Sequence, residues 1–199
     1  MKKLLLLLAA ATLWLSAAGT EAAQGDRFTL KTVTGKQLHM VGLDNGLLVE
    51  EHKGKVVFIE FWGTHCPPCL ISIPHYIDLQ AKYKDKLAIV AIEVQATPEA
   101  MLKQFVQAKG INYDVIAHEN AQAFIDYMTV RTGWQNSIPF LIILDQEGNF
   151  VTSHVGMAPQ EALEDLIRRL DELHGKKSAA APAPAKSAAT PAATPAAKQ

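Results

Sequence analysis

At 199 residues, with 19 basic against 20 acidic side chains, the chain has room for one ordinary domain plus tails and no basic excess to suit nucleic acid. Residues 24–175 carry 13 lysines and arginines against 19 acids, near −6, which deepens that exclusion. The whole chain holds two cysteines, three positions apart, and a bridge closing so short a loop removes little unfolded-state entropy. Structural stapling is therefore a poor reason for the pair, and chemistry a better one.

Met1-Lys2-Lys3 is a short basic stretch, Leu4 to Leu15 an uncharged apolar run, and small residues follow, with Ser16-Ala17-Ala18 or Thr20-Glu21-Ala22 as cleavage sites. The run is shorter than the ~20 residues of a spanning helix, so residues 1–23 read as an export signal, with an uncleaved anchor as the alternative. The expected location is the periplasm. Arg27 to Val33 and Gln37 to Val41 flank the turn signal Thr34-Gly35-Lys36 and predict an N-terminal β-hairpin.

Val56 to Phe61 reads as a buried strand, followed by a helical pattern from about Pro67 to Tyr83 in which Pro74 predicts a kink. Leu87 to Val94 is a second buried strand. Thr97 offers an N-cap with Pro98 at the first helical position and Glu99 behind it, opening a helix that Gly110 ends, with Met101, Leu102, Phe105 and Val106 as its apolar stripe. A further helix is expected from Glu119 to about Val130. Phe140 to Leu144 and Phe150 to Val155 form a hairpin around Asp145 to Asn149. A last helix runs from Gln160 to His174, with Gly175 at the stop position. Residues 176–199 are almost wholly Ala, Pro, Lys, Ser and Thr and read as a disordered tail. The order of elements predicts an α/β domain over residues 24–175: a mixed sheet with parallel crossovers, flanked by about four helices.

Cys66-Pro67-Pro68-Cys69 sits where the first buried strand meets a helix. A helix N-terminus presents unpaired N–H groups and a positive dipole end, both of which favour a thiolate. Cys66 is then the exposed nucleophile, and Cys69, one turn further in, resolves a mixed disulfide. Pro67 and Pro68 stiffen the first turn and remove amide donors from it. His65 can lower the thiol pKa as a cation or shuttle a proton as a base; it can equally be an aromatic filler on the rim. Glu60, a carboxylate inside an apolar strand, is a candidate acid–base for the deeper thiol, unless it is solvated at a strand end.

The stretch Val57 to Cys69 (Val-Phe-Ile-Glu-Phe-Trp-Gly-Thr-His-Cys-Pro-Pro-Cys) followed by Pro74 resembles the active-site segment of thioredoxins, and more narrowly the exported TlpA/ResA/CcmG-like (DsbE-like) branch. Phe28-Thr29-Leu30, Gly54-Lys55-Val56-Val57 and Ser137-Ile138-Pro139 through Leu144-Asp145-Gln146-Glu147-Gly148 extend the resemblance over roughly residues 26–173. It implies a thioredoxin-like fold, a cis Ile138–Pro139 peptide facing the cysteines and aligning substrate backbone, a buried acid at Glu60, and an exposed Trp62 near the site. Three departures bear on specificity. His65 stands where Trp is common, Ser72 where a glutamate is usual, and Trp134 to Asn136 alter the loop before Pro139.

The expected activity is thiol–disulfide exchange with exported client proteins through Cys66 and Cys69, with no cofactor beyond that disulfide. The resemblance implies a reductase, for instance of the CxxCH cysteines of apocytochromes c in cytochrome c biogenesis, recharged by a membrane thiol-electron donor. An oxidase running the same site backwards is the alternative. A third reading is a copper or zinc module using Cys66, Cys69 and His65 or His75; two thiolates are half a zinc site, so no metal ligand is assigned. A monomer is expected, without nucleic-acid contacts.

Overall fold

The computed structural model describes residues 26–180; the expected export signal and the part of the expected tail beyond residue 180 lie outside them. In chain order the elements are β1 (Arg27–Lys31), β2 (Gln37–Leu43), β3 (Gly46–Val49), β4 (Val56–Trp62), α1 (Pro67–Lys82), β5 (Leu87–Glu93), α2 (Glu99–Lys109), β6 (Asp114–Ile116), α3 (Gln122–Thr132), β7 (Phe140–Leu144), β8 (Phe150–Val155) and α4 (Gln160–Ala180). Five strands form one sheet in the order β6-β5-β4-β7-β8. The β4, β5 and β6 strands are parallel, while β7 runs antiparallel to β4 and β8 antiparallel to β7. This is the mixed sheet that the order of elements predicts.

Every residue of β4 and β5 is buried, as expected of strands covered on both faces. On one face Val57, Ile59 and Phe61 pack with Leu38, Met40, Phe124, Trp134 and Phe140. On the other, Val56 and Phe58 meet Tyr76 and Leu79 of α1 and Leu163 and Ile167 of α4. The strand period of two thus separates the halves of the core. At the C-terminal end of β4 the second face continues into Trp62, Cys66, Cys69, Ile73, Leu102 and Val106.

The N-terminal extension is a three-stranded antiparallel sheet, β1-β2-β3, rather than the predicted hairpin. Asp44-Asn45-Gly46 is the turn into β3, a strand too short to show as a pattern. This small sheet is tied to both edges of the large one. Val33 N–H donates to Val115 O at 2.9 Å and Phe150 N–H to Asn45 O at 2.9 Å. A Cβ on Gly46 would collide with the Gly148 backbone, so the second contact requires glycine.

The helices differ from expectation at their ends. Thr97 does not cap α2: its side chain turns back to Glu93, and Pro98 takes the cap position. Met101 is exposed, leaving Leu102 and Val106 as the buried residues of α2, while Gly110 ends the helix in a left-handed conformation as predicted. The helix expected from Glu119 begins with a 3-10 turn over His118–Asn120, and α3 starts at Gln122. The α4 helix does not stop at Gly175 but runs to Ala180. His174 and Lys177 lie 3.1 and 3.4 Å from Glu147, which holds that end. Among the described residues no helix is long and apolar enough to cross a membrane.

Phe61 is fully buried, with its ring 4.6 Å from that of Trp134. Phe61→Ala is expected to cost about 3–5 kcal/mol of unfolding free energy, read from urea denaturation of the protein. A loss under about 1 kcal/mol would mean that this aromatic cluster does not carry the core.

Candidate active site

The chain leaves β4 at Trp62, crosses Gly63-Thr64-His65 and enters α1, whose N-cap is Cys66. Cys66 and Cys69 form a disulfide with their Cα atoms 5.2 Å apart. Cys69 N–H donates to the Cys66 sulfur at 3.3 Å. The prolines at the two intervening positions carry no N–H, so among the described residues Cys69 supplies the sole amide bond to that sulfur. The dipole and one amide therefore favour a Cys66 thiolate, and the usual further donors of a helix start are missing. Pro67 is exposed and Pro68 half-buried.

The surroundings are more closed than the sequence suggests. Cys66 is 5% exposed and Cys69 1%, so Cys66 is not the open nucleophile expected, although it is the more accessible of the pair. Trp62 is buried, correcting its expected exposure: its position on β4 turns the ring under α1 and α2, 5.8 Å from Phe105. It forms the floor of the cysteine cluster, with its Nε1 unpaired.

Glu60 lies on the same face of β4 as Trp62. Its side chain is buried at 2% exposure, and Oε1 has no hydrogen-bond partner. Burial pushes its carboxyl well above the ordinary value of 4.5. The phenols of Tyr76 and Tyr113 are also pushed up, first by their own burial and then by the Glu60 charge. Glu60 is therefore not solvated at a strand end, and its Oε1 is unpaired.

The Ile138–Pro139 peptide is cis, with Pro139 buried and Ile138 packed on the cluster that contains both cysteines. The preceding loop is pinned by Trp134, which stacks on Phe140 and donates from Nε1 to Ser137 O at 2.8 Å. Ser72, in place of the family's glutamate, is buried and donates to Pro68 O at 3.2 Å. One cluster thus gathers Trp62, Cys66, Cys69 and Ile138, with Glu60 on the same face of β4 as Trp62, Pro139 next to Ile138 in the chain, and His65 exposed. Among the described residues no group of three or more His, Cys, Asp and Glu converges as a metal site would.

A second buried acid escaped the sequence reading. Glu93 ends β5, opposite Trp62 in the register, and accepts bonds from the loop that follows. The signal was present: like Glu60, it is a carboxylate in an otherwise apolar strand.

The AhpC/TSA family model matches residues 22–153. The chain is 27% identical over 154 residues to the thiol-disulfide oxidoreductase ResA of Halalkalibacterium halodurans, covering 77% of each chain. It is 28% identical over 149 residues to the thioredoxin-like protein YneN of Bacillus subtilis, covering 74% of this chain and 78% of that one. Among solved structures, the pneumococcal exposed lipoprotein thioredoxin Etrx1 of Streptococcus pneumoniae superposes with a TM-score of 0.55 at 21% identity, over 72% of this chain and 99% of that one. A thiol:disulfide interchange protein of Chlorobium tepidum gives 0.55 at 24% identity, over 74% and 94%. These structures show the thioredoxin-like fold.

Two expectations follow from the electrostatics. An unfolded chain ionises Glu60 near 4.5 while the folded chain resists, so Glu60 costs stability as pH rises above that value. Glu60→Leu should then stabilise the fold at pH 7 by about 1–3 kcal/mol. It should also flatten the fall of stability as pH rises above 4.5, measured by denaturant titration at several pH values. An unchanged pH profile would contradict the buried, unpaired carboxyl. Pro68→Ala restores an N–H in the first turn and should lower the pH at which the Cys66 thiolate forms, followed by thiolate ultraviolet absorbance; no change would show that the prolines do not withhold donors.

Proposed function

Because the chain belongs to the AhpC/TSA family and is a thioredoxin-like thiol-disulfide oxidoreductase with a Cys66–Cys69 pair, we propose that it works as a reductase of exported client proteins. The observation that carries this direction is the single amide bond to the Cys66 sulfur. A thiol–disulfide centre is a strong oxidant when its reduced form is stabilised. Here both intervening residues are proline, the thiolate is held by one amide and the dipole, and the reduced pair keeps its drive to give up electrons.

The Cys66 thiolate attacks one sulfur of a client disulfide, forming a mixed disulfide and releasing the client's other sulfur as a thiolate. Cys69 then loses its proton toward Glu60, and its thiolate attacks the Cys66 sulfur. The Cys66–Cys69 disulfide closes and the second client sulfur leaves, so two electrons have passed to the client. The buried carboxyl suits this proton exchange because burial raises its pKa well above the ordinary 4.5 and disfavours its permanent ionisation. Ile138 packs on the cysteine cluster, and client backbone would lie along the cis Ile138–Pro139 peptide. A membrane thiol-electron donor returns the pair to the dithiol.

Location in the periplasm is supported by the basic and apolar residues 1–23 and by the exposed lipoprotein thioredoxin among the structural neighbours. Clients with closely spaced cysteine pairs, such as apocytochromes c, fit a site of this kind. The protein is expected to reduce insulin disulfides, Cys66→Ser to abolish the reaction, and Cys69→Ser to accumulate client joined to Cys66. Full activity of Cys66→Ser would refute the assignment. A reduction potential nearer to thioredoxin's, about −270 mV, than to the oxidase DsbA's, about −120 mV, is expected from equilibration with glutathione. A value at the oxidising end would make the protein a disulfide donor.

A further inference from the structure

His65 stands next to the nucleophile, and a chain of hydrogen bonds leads from its ring to the buried carboxylate of Glu93. We infer that Glu93, acting through Thr97 and Thr64, is a positioning residue that keeps His65 protonated at Nδ1 and leaves Nε2 as the ring's basic nitrogen.

The direction of each bond follows from counting hydrogens. Glu93 is fully buried, and its carboxylate accepts three bonds: Gln95 N–H to Oε1 at 3.0 Å, Thr97 N–H to Oε2 at 3.0 Å and Thr97 Oγ1–H to Oε1 at 2.9 Å. A hydroxyl has one hydrogen, and that of Thr97 is committed to the carboxylate. The 2.7 Å contact between the hydroxyls of Thr64 and Thr97 must then be donated by Thr64. With its own hydrogen spent, Thr64 Oγ1 can only accept in its 3.0 Å contact with His65 Nδ1. The imidazole must therefore carry a proton on Nδ1, whether neutral or cationic. Among the described residues Nε2 has no hydrogen-bond partner.

The backbone is fixed by the same acid. Gln95, whose N–H is held by Glu93, accepts the His65 N–H on its Oε1 at 2.8 Å. Ala96 adopts a positive φ of 57° to wrap the loop around the carboxylate. A Cβ at position 63 would displace the Gln95 side chain, and with it the acceptor of the His65 N–H. Ring and main chain of His65 are thus referred to one buried carboxylate at the end of the neighbouring strand. The consequence for thiol exchange rests on the proposed function; the tautomer does not.

Nitrogen-15 correlation spectra of the full-length reduced protein read the two ring nitrogens of His65 directly. The wild type should show Nδ1–H with an unprotonated Nε2 when the ring is neutral. Thr97→Val keeps the backbone bonds to Glu93 but severs the chain, and Thr64→Val severs it from the other side. Both should lose the Nδ1–H signature and shift to the Nε2–H form that a free histidine ring prefers, while Thr97→Ser keeps the wild-type pattern. The reaction of the protein with a disulfide dye should slow in the valine variants and recover in Thr97→Ser. A wild-type ring protonated at Nε2, or a pattern unchanged in both valine variants, would overturn the inference. A wild type that reduces no dye would refute the proposed function instead, and the spectra would still decide the tautomer.

Discussion

Everything at this site depends on one constraint, the complete burial of β4. The strand is hydrogen-bonded on both sides, to β5 and β7, and covered on both faces. Its end is thereby fixed in space, and with it the point where the chain turns into α1. Cys66 is the residue at that turn, so the sulfur inherits its place at the helix N-terminus from the core rather than from the loop. Trp62 shows the same constraint. Alternation along a buried strand drives it inward, and the ring becomes the floor beneath the disulfide.

The two buried acids illustrate how environment divides a single chemistry. Glu60 and Glu93 both lie in apolar parallel strands, near the same end of the sheet. Glu93 has its carboxylate bonded by two amides and a hydroxyl, which tie it to the loop that follows its strand. Glu60 leaves Oε1 without a partner, and burial alone pushes its carboxyl up. A group so placed lowers stability, and its presence is easiest to understand as a cost borne for function. In the proposed mechanism one acid holds geometry while the other exchanges a proton.

Much of this was legible in the sequence because the strong signals were local. The runs Val56 to Phe61 and Phe140 to Leu144, the cysteine pair at a strand–helix junction and the flanks of Ile138–Pro139 each announce themselves within a few residues. What escaped depends on contacts between distant segments. The β3 and β6 strands span four and three residues, and β6 takes its place through β5 and the bridge from Thr32 to Ile116. Thr97 has the residue type of an N-cap, but the carboxylate of Glu93 competes for its hydroxyl and wins. Gly175 has open space around it and contacts from Glu147 on either side, so α4 has no reason to stop there. Trp62 was placed at the surface by analogy, whereas the alternation of its own strand places it inside.

The central claim is that the two cysteines are unequal, Cys66 being the thiolate-forming nucleophile and Cys69 the shielded thiol that resolves. Alkylation of the reduced protein across a range of pH, with mass spectrometry assigning the modified residue at early times, measures that inequality. The account predicts that Cys66 is modified first and that its reactivity rises at lower pH than that of Cys69. Equal rates at the two thiols, or earlier modification of Cys69, would contradict it.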